Sequence, residues 1–449
     1  MTPDMPSSPA AVATHDAESS DLGTGGRKLR VLFLTQWFDP EPGAIRGLPL
    51  AKWLLARGHE VEVITGVPNY PGGKVYDGYR VRPLQREVMD GVPVIRVPLY
   101  PSHDQSALKR VANYVSFALS AATIGAAAAK RADICFAVSP PPTLGIPALV
   151  LKYLRRIPYV YHVSDMWPDS AVESGMFGDG WVKRVSTSVL HWWCNLLYRQ
   201  ADAVTVLADV PREVLAERGV PKDKIEVVYN WADESLFHPM ERDDQLAQEL
   251  GLSPGDFNLI YAGNFGVFQN LEVAIRAAHQ IAERAPKLKL VLIGTGTEEA
   301  RLKALVAELG ATNVSFHGRR PYTDMPAISA LSDAMLVHLS DIPLLRWTVP
   351  SKTQVALAMG IPMLMAATSD TARLVSESGA GVVCTPDDPD AMAGAMLELA
   401  ALDRAELHHM GQAGLEFYRR RISLDRGGEI MEGVFANSLQ RRAGRRRTA

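Results

Sequence analysis

The stretch NLIYAGNFGVFQN, residues 258–270, opens with a short apolar run and ends in a turn that contains two glycines. A helical pattern follows this turn. Strand, turn and helix in this order form one βα unit of a parallel sheet. Because the same order recurs along nearly the whole chain, the sequence predicts an α/β protein.

The strand-like runs fall into two groups on either side of a polar segment, residues 230–256. The first group is LRVLFLTQWF, EVEVITG, PVIRVPLY, ADICFAVS, PYVYHVSD, ADAVTVLA and KIEVVYN, and the second is NLIYAGN, LKLVLIG, VSFHG, DAMLVHLS, IPMLMA and GVVCT. A chain of 449 residues is too long for one ordinary core. We therefore expect two Rossmann-like, doubly wound domains that face each other across a cleft.

The chain divides into five predicted segments. We expect residues 1–27 to be disordered, 28–235 and 236–410 to form the two domains, 411–437 to be helical, and 438–449 to be a basic tail. The chain ends in RRAGRRRTA, with five arginines and no acidic residue. We expect a frayed, solvated end, and contact with anionic lipid is the alternative.

Composition narrows the class of protein. A net charge of −3 gives no general signature of nucleic-acid binding. Cys135, Cys194 and Cys384 are far apart and lie among apolar residues, so neither a disulfide framework nor a zinc site is indicated. The first 27 residues lack the charged start and apolar run of a signal peptide. We therefore expect a cytoplasmic protein.

Two segments bear on membrane contact. Residues 111–129 are uncharged over 19 residues and must be weighed as a membrane span, but their alanines and polar residues fit a helix buried against a sheet better. Residues 181–199, WVKRVSTSVLHWWCNLLYR, combine tryptophans with basic residues. Because helices of this kind bind membrane interfaces reversibly, we expect peripheral association with a membrane surface.

Four loops of the second half follow strands and lead into helices: GNFGVFQN, GTGTEE, HGRRPYTDMP and LSDIPLLRWTVPSK. Glycine lets a backbone approach a ligand closely, and cations neutralise phosphate. Each loop alone could be an ordinary strand-to-helix turn, but the four together favour a nucleotide. The candidate residues are Asn264, Gly266, Gly294, Gly296, Arg319, Arg320, Arg346, Ser351 and Lys352.

The last of these loops places Ser351 and Lys352 at the start of an apolar helix. A helix N-terminus attracts anions through its free N–H groups and its dipole, so a hydroxyl and an ammonium there suggest a phosphate seat. The alternative is that Ser351 caps the helix and Lys352 is solvated.

Other nucleotide and metal chemistries lack their motifs. The first strand is followed by DPEPGAIRG rather than by G-x-G-x-x-G, and the chain has no G-x-x-x-x-G-K-[ST]. Asp388 and Asp390 have D-x-D spacing, but they precede a helical pattern and are interpreted as helix caps. We therefore expect no metal and no cofactor in the chemistry.

Two loops of the first half carry candidate groups. His162 and Asp165 end a strand, where an imidazole or a carboxylate can act as acid, base or substrate anchor, although a lone histidine at such a place is often structural. Residues 66–80 form a long Pro- and Gly-rich loop, and such loops are usually functional. Its side chains suit a sugar or lipid-phosphate acceptor, and the candidates there are Tyr70, Lys74 and Tyr79.

From about residue 29 to 437 the chain resembles the GT-B retaining glycosyltransferases that build bacterial polysaccharides. The resemblance is carried by FDPEPG, LLARGHEV, VPNYPGGKVYDGYR, DMWPDS, VVYNWADESLFHP, YAGNFG and VPSK. The P-N-Y-P-x-G-K and D-x-W-P elements are the more specific ones. They are similar to those of the fucosyl and N-acetylfucosaminyl transferases of O-antigen, capsule and colanic acid pathways.

The resemblance implies a UDP- or GDP-sugar donor held by the second domain and a polyprenyl-diphosphate sugar acceptor offered from the first. It implies that the final helix crosses back to the first domain, and that the protein works at the inner face of the cell membrane. Lys352 and Ser351 would then stabilise the charge that grows on the leaving diphosphate, without metal. An acceptor hydroxyl attacking from the same face would retain the anomeric configuration.

The implied roles divide the candidates into three groups. The catalytic candidates are Lys352, Asp165 and His162. The other eight candidate residues named above in the four loops would bind the donor, and Gly43, Tyr70, Lys74 and Tyr79 would bind the acceptor. Two positions depart from the family pattern, because Trp347 and Val355 stand where many relatives have a glutamate that contacts the sugar or the ribose. A non-catalytic GT-B partner protein and a nucleotide-sugar epimerase therefore stay as alternatives.

Overall fold

The computed structural model describes residues 27–42, 46–102, 106–173 and 180–448. Gly43 and all but the last residue of the N-terminal segment 1–27 lie outside these ranges. The strands are β1 (Arg30–Thr35), β2 (Glu60–Gly66), β3 (Gln85–Met89), β4 (Val92–Val97), β5 (Ile134–Ser139), β6 (Tyr159–Val163), β7 (Ala203–Val206), β8 (Ile225–Val227), β9 (Phe257–Ala262), β10 (Leu288–Ile293), β11 (Val314–Phe316), β12 (Ala334–His338), β13 (Met363–Ala366) and β14 (Gly381–Cys384).

The helices follow the strands in the alternation that the sequence predicts. They are α1 (Leu48–Ala56), α2 (Ala107–Ser120), α3 (Ala126–Ala128), α4 (Gly145–Leu154), α5 (Asp169–Glu173), α6 (Trp181–Gln200), α7 (Asp209–Glu217), α8 (Asp244–Glu249), α9 (Leu271–Gln280), α10 (Glu299–Leu309), α11 (Met325–Ser329), α12 (Ser351–Met359), α13 (Asp370–Ser378), α14 (Pro389–Ala401), α15 (Arg404–Arg421) and α16 (Leu424–Thr448). A π turn, Ala121–Gly125, joins α2 to α3, and 3₁₀ turns include Pro142–Leu144, Val267–Gln269 and Pro343–Trp347.

The strands form two sheets. The first has the order β3-β4-β2-β1-β5-β6-β7-β8 and the second β11-β10-β9-β12-β13-β14. All pairs are parallel except β3 with β4. The two predicted Rossmann-like domains are confirmed, and each predicted run contains a strand. The edge strand β3 was missed, because its side chains are half-buried or exposed and give no apolar run.

Each sheet has one topological switch point, where two adjacent parallel strands connect onward to opposite sides of the sheet. In the first sheet this is between β1 and β5, and in the second between β9 and β12. Loops that follow the strands on either side of such a point diverge and leave a crevice where ligands bind. The fold therefore directs attention to the loops after β1, β5, β9 and β12.

The apolar segment between residues 108 and 128 is only partly buried. It is long and apolar enough to cross a membrane by length and composition alone, and 39% of its most apolar window is buried in the fold. Phe117 and Ala118 are fully buried, whereas Leu108 and Leu119 are 82% and 54% exposed. The expectation of a buried helix therefore holds for one face and is wrong for the other.

The last helix, α16, packs against α1 and the first domain. Glu432 accepts hydrogen bonds from His59 Nε2 at 3.0 Å and from Arg57 at 3.2 Å, and Trp53 donates its indole N–H to Asp425 at 2.8 Å. Phe435 lies edge-on to Phe136 of β5, with ring centroids 5.8 Å apart. The final helix thus completes the core of the first domain.

The predicted frayed end is wrong over the described residues, because α16 continues to Thr448. Arg441 donates to the Asp223 carbonyl at 2.8 Å, and Arg442 donates to the Arg156 carbonyl at 3.2 Å. Carbonyl groups of the first domain thus hold the basic helix on its surface. The five segment boundaries themselves stay predictions.

The two domains also touch through their facing helices. Arg373 of α13 forms an ion pair with Asp209 of α7, and the Val210 N–H donates to Asp370 at 2.7 Å. Trp347 of the second domain packs against the core of the first. These contacts hold the carboxyl ends of both sheets towards a common cleft.

We predict that Gly428→Ala destabilises the protein by about 1–3 kcal/mol. The added Cβ would lie 2.5 Å from the Trp53 ring, which is itself held by Asp425. Gly394→Ala in α14 is the control, since nothing lies within 4 Å of its Cβ, and it should stabilise the protein by about 0.4–1 kcal/mol. Equal midpoints of urea unfolding for both variants would contradict this account of the α16 contact.

Candidate functional site

Three loops of the second domain are held together by backbone hydrogen bonds. Gly263 donates to Ile293 O at 2.8 Å, Phe265 donates to Thr295 O at 2.9 Å, and Gly294 donates to Gly318 O at 2.8 Å. The loops after β9, β10 and β11 therefore form one rigid unit at the carboxyl edge of the sheet.

Glycine is required in this unit because the backbones touch. Gly263 and Gly294 have φ of +152° and +141°, and a Cβ at Gly294 would collide with the Gly263 carbonyl oxygen. A Cβ at Gly296 would likewise collide with the Phe265 backbone. Loop packing alone accounts for Gly294 and Gly296, so their predicted contact with a donor stays a prediction.

Lys352 lies against this glycine unit. Its Nζ is 3.9 Å from the centroid of the Tyr261 ring, and a Cβ at Gly263 would come within 2.9 Å of the same atom. It has no ion-pair partner among the described residues, and burial lowers its pKa from the usual 10.5 to about 8. The ammonium is thus desolvated and without a counter-ion, a state that an anionic ligand would relieve.

The helix that carries Lys352 begins without a side-chain cap. Its N-cap is Pro350, Ser351 is the first helical residue, and no side chain of the described residues caps this end. The alternative in which Ser351 caps the helix is therefore wrong. The exposed Ser351 hydroxyl and the first N–H groups of α12 remain available to an anion.

The loop after β9 brings two amides over its second glycine. A Cβ at Gly266 would lie 2.7 Å from Asn264 Nδ2 and 2.7 Å from Gln269 Oε1. The Asn264 carbonyl accepts from the Tyr261 hydroxyl at 2.6 Å, which ties the loop to the ring beneath Lys352. Asn264 and Gly266 therefore lie in the same small region as Lys352.

The three candidate arginines differ in their surroundings. Arg319 is exposed and Arg320 is half-buried, directly after Gly318, which joins the glycine unit. Arg346 instead binds Asp341 through Nε at 3.1 Å and Nη2 at 3.0 Å. Both side chains of this pair are exposed, and the assignment of Arg346 to the donor stays a prediction.

The first domain has a cavity of about 430 Å³ at the carboxyl ends of its central strands. Trp37, Tyr70 and Tyr114 form one aromatic wall, in which the Trp37 centroid lies 5.2 Å from that of Tyr70 and 6.4 Å from that of Tyr114. Other lining residues are Thr35, Arg46, Gly47, Ser139, Ser164, Asp165, Trp167 and Asn230. Aromatic walls with a few polar groups suit a sugar or another amphipathic ligand.

Asp165 is the carboxylate of this cavity. Its side chain keeps solvent contact, yet the surrounding protein desolvates it and raises its pKa above the usual 3.8. A carboxylate in this position can accept a hydrogen bond from a hydroxyl that enters the cavity. The structure therefore places Asp165 where the sequence analysis expects it.

His162 does not line the cavity. Its ring is fully buried beside Phe136, and Nδ1 lies 2.8 Å from the Thr205 hydroxyl. Burial, together with the nearby Arg46, lowers its pKa well below 6.5. Since no substrate atom can reach a buried ring, the prediction that His162 is catalytic is corrected to a structural role beneath the cavity.

The long loop of residues 66–80 contributes only part of what the sequence suggests. Tyr70 lines the cavity, and its N–H donates to the buried Glu41 at 2.8 Å. Tyr79 stacks on Arg96, with the guanidinium 4.9 Å from the ring centroid, and Lys74 is an exposed residue outside the cavity lining. Neither Tyr79 nor Lys74 lines this cavity, and their assignment to the acceptor stays a prediction.

Sequence reasoning missed Trp37, Tyr114, Trp167, Arg46 and Asn230. Trp37 and Trp167 lie shortly after the ends of β1 and β6, so their positions in the sequence could have identified them as candidates. Tyr114 lies inside the apolar helix α2, and Asn230 lies in the connection between domains. Only the fold brings those two to the cavity.

No group of three or more metal-binding side chains occurs within the described ranges. Asp388 accepts from the N–H groups of Asp390 and Ala391, so it caps α14 as predicted. Asp390 accepts from Gln280 at 2.8 Å. Metal-free chemistry stays a prediction.

The two positions that depart from the family pattern are used for packing. Trp347 contacts the core of the first domain, and Val355 packs into the core on the α12 side of the second sheet. Apolar side chains there stabilise the fold and the domain contact. They offer no carboxylate to a ribose or a sugar.

Comparison with known proteins agrees with this geometry. Residues 45–231 match the family model of the glycosyl transferase 4-like domain, and residues 243–417 match that of glycosyl transferases group 1. The chain belongs to the group 1 glycosyltransferases, with a glycosyl transferase 4-like domain in its first half. The two matches fall on the two sheets of this GT-B glycosyltransferase.

Among curated relatives, the GT-B glycosyltransferase is similar to the putative colanic acid biosynthesis glycosyl transferase WcaI of Escherichia coli K12. The identity is 29% over 292 residues, which cover 64% of this chain and 70% of the relative. It is also 25% identical to the probable glycosyltransferase WbjE of Pseudomonas aeruginosa over 69% of this chain and 77% of that one.

Solved structures show the same GT-B fold. HepE of Anabaena, solved in complex with UDP, has a TM-score of 0.63 at 17% identity and covers 90% of this chain and 98% of its own. WaaG, a glycosyltransferase of lipopolysaccharide biosynthesis, has a TM-score of 0.58 at 15% identity over 91% of this chain and 99% of its own. At these identities the likeness concerns the fold.

We predict that kcat/KM for the donor falls as pH rises through about 8. Below that pH the Lys352 ammonium is charged and attracts a diphosphate, and above it the free enzyme loses the charge. Lys352→Arg should remove this fall, since a guanidinium stays charged at every accessible pH. An identical pH profile in wild type and Lys352→Arg would assign the fall to another group.

Proposed function

We propose that this protein transfers a sugar from a nucleoside-diphosphate donor to a polyprenyl-diphosphate sugar in surface polysaccharide assembly, with retention and without metal. The observation that carries the proposal is Lys352, a desolvated ammonium that has no counter-ion among the described residues and lies at a helix N-terminus that none of their side chains caps. Such a site is suited to the charge that grows on a leaving diphosphate.

The donor side of the reaction uses the second domain. As the bond between the anomeric carbon and the diphosphate oxygen breaks, Lys352 and the first N–H groups of α12 stabilise the developing charge. Arg319 and Arg320 stand on the adjoining loop and can neutralise the remaining phosphate charge. UDP and UDP-glucose are bound by the structural neighbour HepE, which supports a nucleotide-sugar donor.

The acceptor side uses the cavity of the first domain. A sugar ring stacked on Trp37 and Tyr70 would direct a hydroxyl towards Asp165, which lines the same cavity. The acceptor oxygen forms the new bond on the face that the diphosphate leaves, and its proton passes to a phosphate oxygen of the leaving group. This same-face exchange retains the anomeric configuration.

An exposed apolar surface on α6 supports a lipid-linked acceptor. On α6 an apolar stripe runs through Trp181, Val185, Val189 and Trp192, which are 74%, 53%, 56% and 64% exposed. The spacing of four, four and three residues places all of them on one helix face. Burial of such a stripe in a bilayer would remove apolar area from water.

Helix α6 is linked to the cavity through one intervening turn, Pro142–Leu144. Trp193 of α6 donates to Pro142 O at 3.0 Å, and Thr143 donates to the carbonyl of Tyr114, a cavity residue on α2. Leu108 and Leu119 of α2 are exposed as well. Exposed apolar side chains on α2 and α6 thus support delivery of the acceptor from the inner face of a cell membrane.

We predict that the double variant Trp181→Ser and Trp192→Ser loses at least about tenfold of its binding to vesicles that contain phosphatidylglycerol, since each indole leaves the bilayer interface. Tyr322→Ser is the control, because Tyr322 is 60% exposed on the second domain. High salt should release the wild-type protein. Release by detergent alone would instead indicate that the α2 segment is inserted across the membrane.

The test of the proposed reaction is Lys352→Ala. We expect the transfer rate to fall roughly 10²–10³-fold, the usual effect of removing one preorganised charge. The thermal midpoint should not fall, because the substitution removes a desolvated, unpaired ammonium. Lys303→Ala is the control, since Lys303 is an exposed lysine paired with Glu299 on α10.

The assay uses UDP- and GDP-sugars with a polyprenyl-diphosphate sugar, in the presence of EDTA. If wild-type turnover is lost in EDTA and restored by magnesium or manganese, the proposal that transfer needs no metal is wrong. A normal rate for Lys352→Ala would favour the second candidate, a non-catalytic GT-B partner protein. The apolar residues Trp347 and Val355 are the observation in its favour.

A further inference from the structure

Arg46 is a buried cation in the lining of the first-domain cavity. Its side chain lies between the loop after β1 and the connection between the domains, and the residue is 5% exposed. Nε donates to Asn230 Oδ1 at 2.8 Å, Nη2 donates to the Val228 carbonyl, and the guanidinium lies 5.0 Å from the centroid of Trp231. All three of these contacts are with neutral groups.

The charge of Arg46 has no counter-ion within the described part of the chain. Its Nη1 is buried and has no hydrogen-bond acceptor there. Burial alone lowers its pKa from 12.5 to about 9, with no carboxylate contributing. Asp165 lines the same cavity but forms no ion pair with it.

Another buried arginine of the same domain has a carboxylate as its counter-ion, as buried arginines usually do. Arg96 is also fully buried, but its Nε pairs with Glu87, and its Nη1 donates to the Gly66 carbonyl at 3.1 Å. A buried charge without such a partner is unfavourable, and neutral side chains could make the contacts with Asn230 and Val228. The buried charge of Arg46 therefore favours binding of an anion that is supplied by a ligand.

We propose that Arg46 supplies the counter-charge for a diphosphate group that binds in the first-domain cavity. This inference rests on the proposed function, in which both substrates carry a diphosphate. The group is either that of the nucleotide donor or that of the prenyl acceptor, and the chemistry of recognition is the same. Arg46 thereby acts from the first domain, whereas Lys352 acts from the second.

The connection at Asn230 allows a test that leaves Arg46 in place. Asn230→Asp is nearly isosteric and would put a carboxylate oxygen at the position that now accepts from Nε at 2.8 Å. The guanidinium would then have an internal counter-ion. We expect the unfolding midpoint to stay or rise while the affinity for diphosphates falls about 10- to 100-fold, the range of one charged hydrogen bond.

The probes are inorganic pyrophosphate, UDP, GDP and farnesyl diphosphate, measured by calorimetry on wild type, Asn230→Asp and Arg46→Met. Lys303→Met, which removes an exposed charge on α10, is the control and should bind as wild type does. A loss confined to farnesyl diphosphate assigns Arg46 to the acceptor, and a loss for UDP or GDP assigns it to the donor. Either result supports the inference.

Affinities within twofold of wild type for all four probes in both variants would overturn the inference. If Arg46→Met unfolds, Asn230→Asp decides alone, because it keeps the arginine and its packing. The proposed function fails by a different result, namely a wild-type protein that transfers no sugar from any donor of the panel. Sugar transfer by wild type with unchanged affinities in the variants would reject only the role of Arg46.

Discussion

The contact between the backbones of Gly263 and Gly294 fixes the candidate donor site. No side chain fits between these two loops, and the hydrogen bonds of Gly263, Phe265 and Gly294 keep the three strand ends at one spacing. Lys352 then lies on Gly263 and over Tyr261, so its ammonium is desolvated without a counter-charge. The chemistry proposed for this GT-B glycosyltransferase depends on that small region of backbone packing.

The fold could be predicted from the sequence because its strands are buried on both faces and read as continuous apolar runs. The edge strand β3 has no such run, and the basic end of α16 gave no apolar pattern either. Both are stabilised by contacts that a local pattern does not contain. For α16 these are the carbonyl groups of Asp223 and Arg156.

Candidate site residues could be predicted only where their position relative to a strand end or a helix start indicated a role. Lys352 and Asp165 follow from strand ends and a helix start. The contacts of Arg346 with Asp341 and of Tyr79 with Arg96 could not be predicted from the residue types alone. Arg46 and Tyr114 were missed because helix packing and the domain connection, rather than a motif, bring them to the cavity.

The placement of α16 has a consequence for how the chain emerges from the ribosome. Phe435 completes the core around Phe136, and the Gly427 and Gly428 backbone packs on Trp231 and Trp53, so the first domain lacks its covering helix until α16 has been made. All strands of the second domain, β9 to β14, precede α16 in the chain. Domains usually fold in the order of their synthesis, but the core of this first domain includes a helix that is made after the whole second sheet.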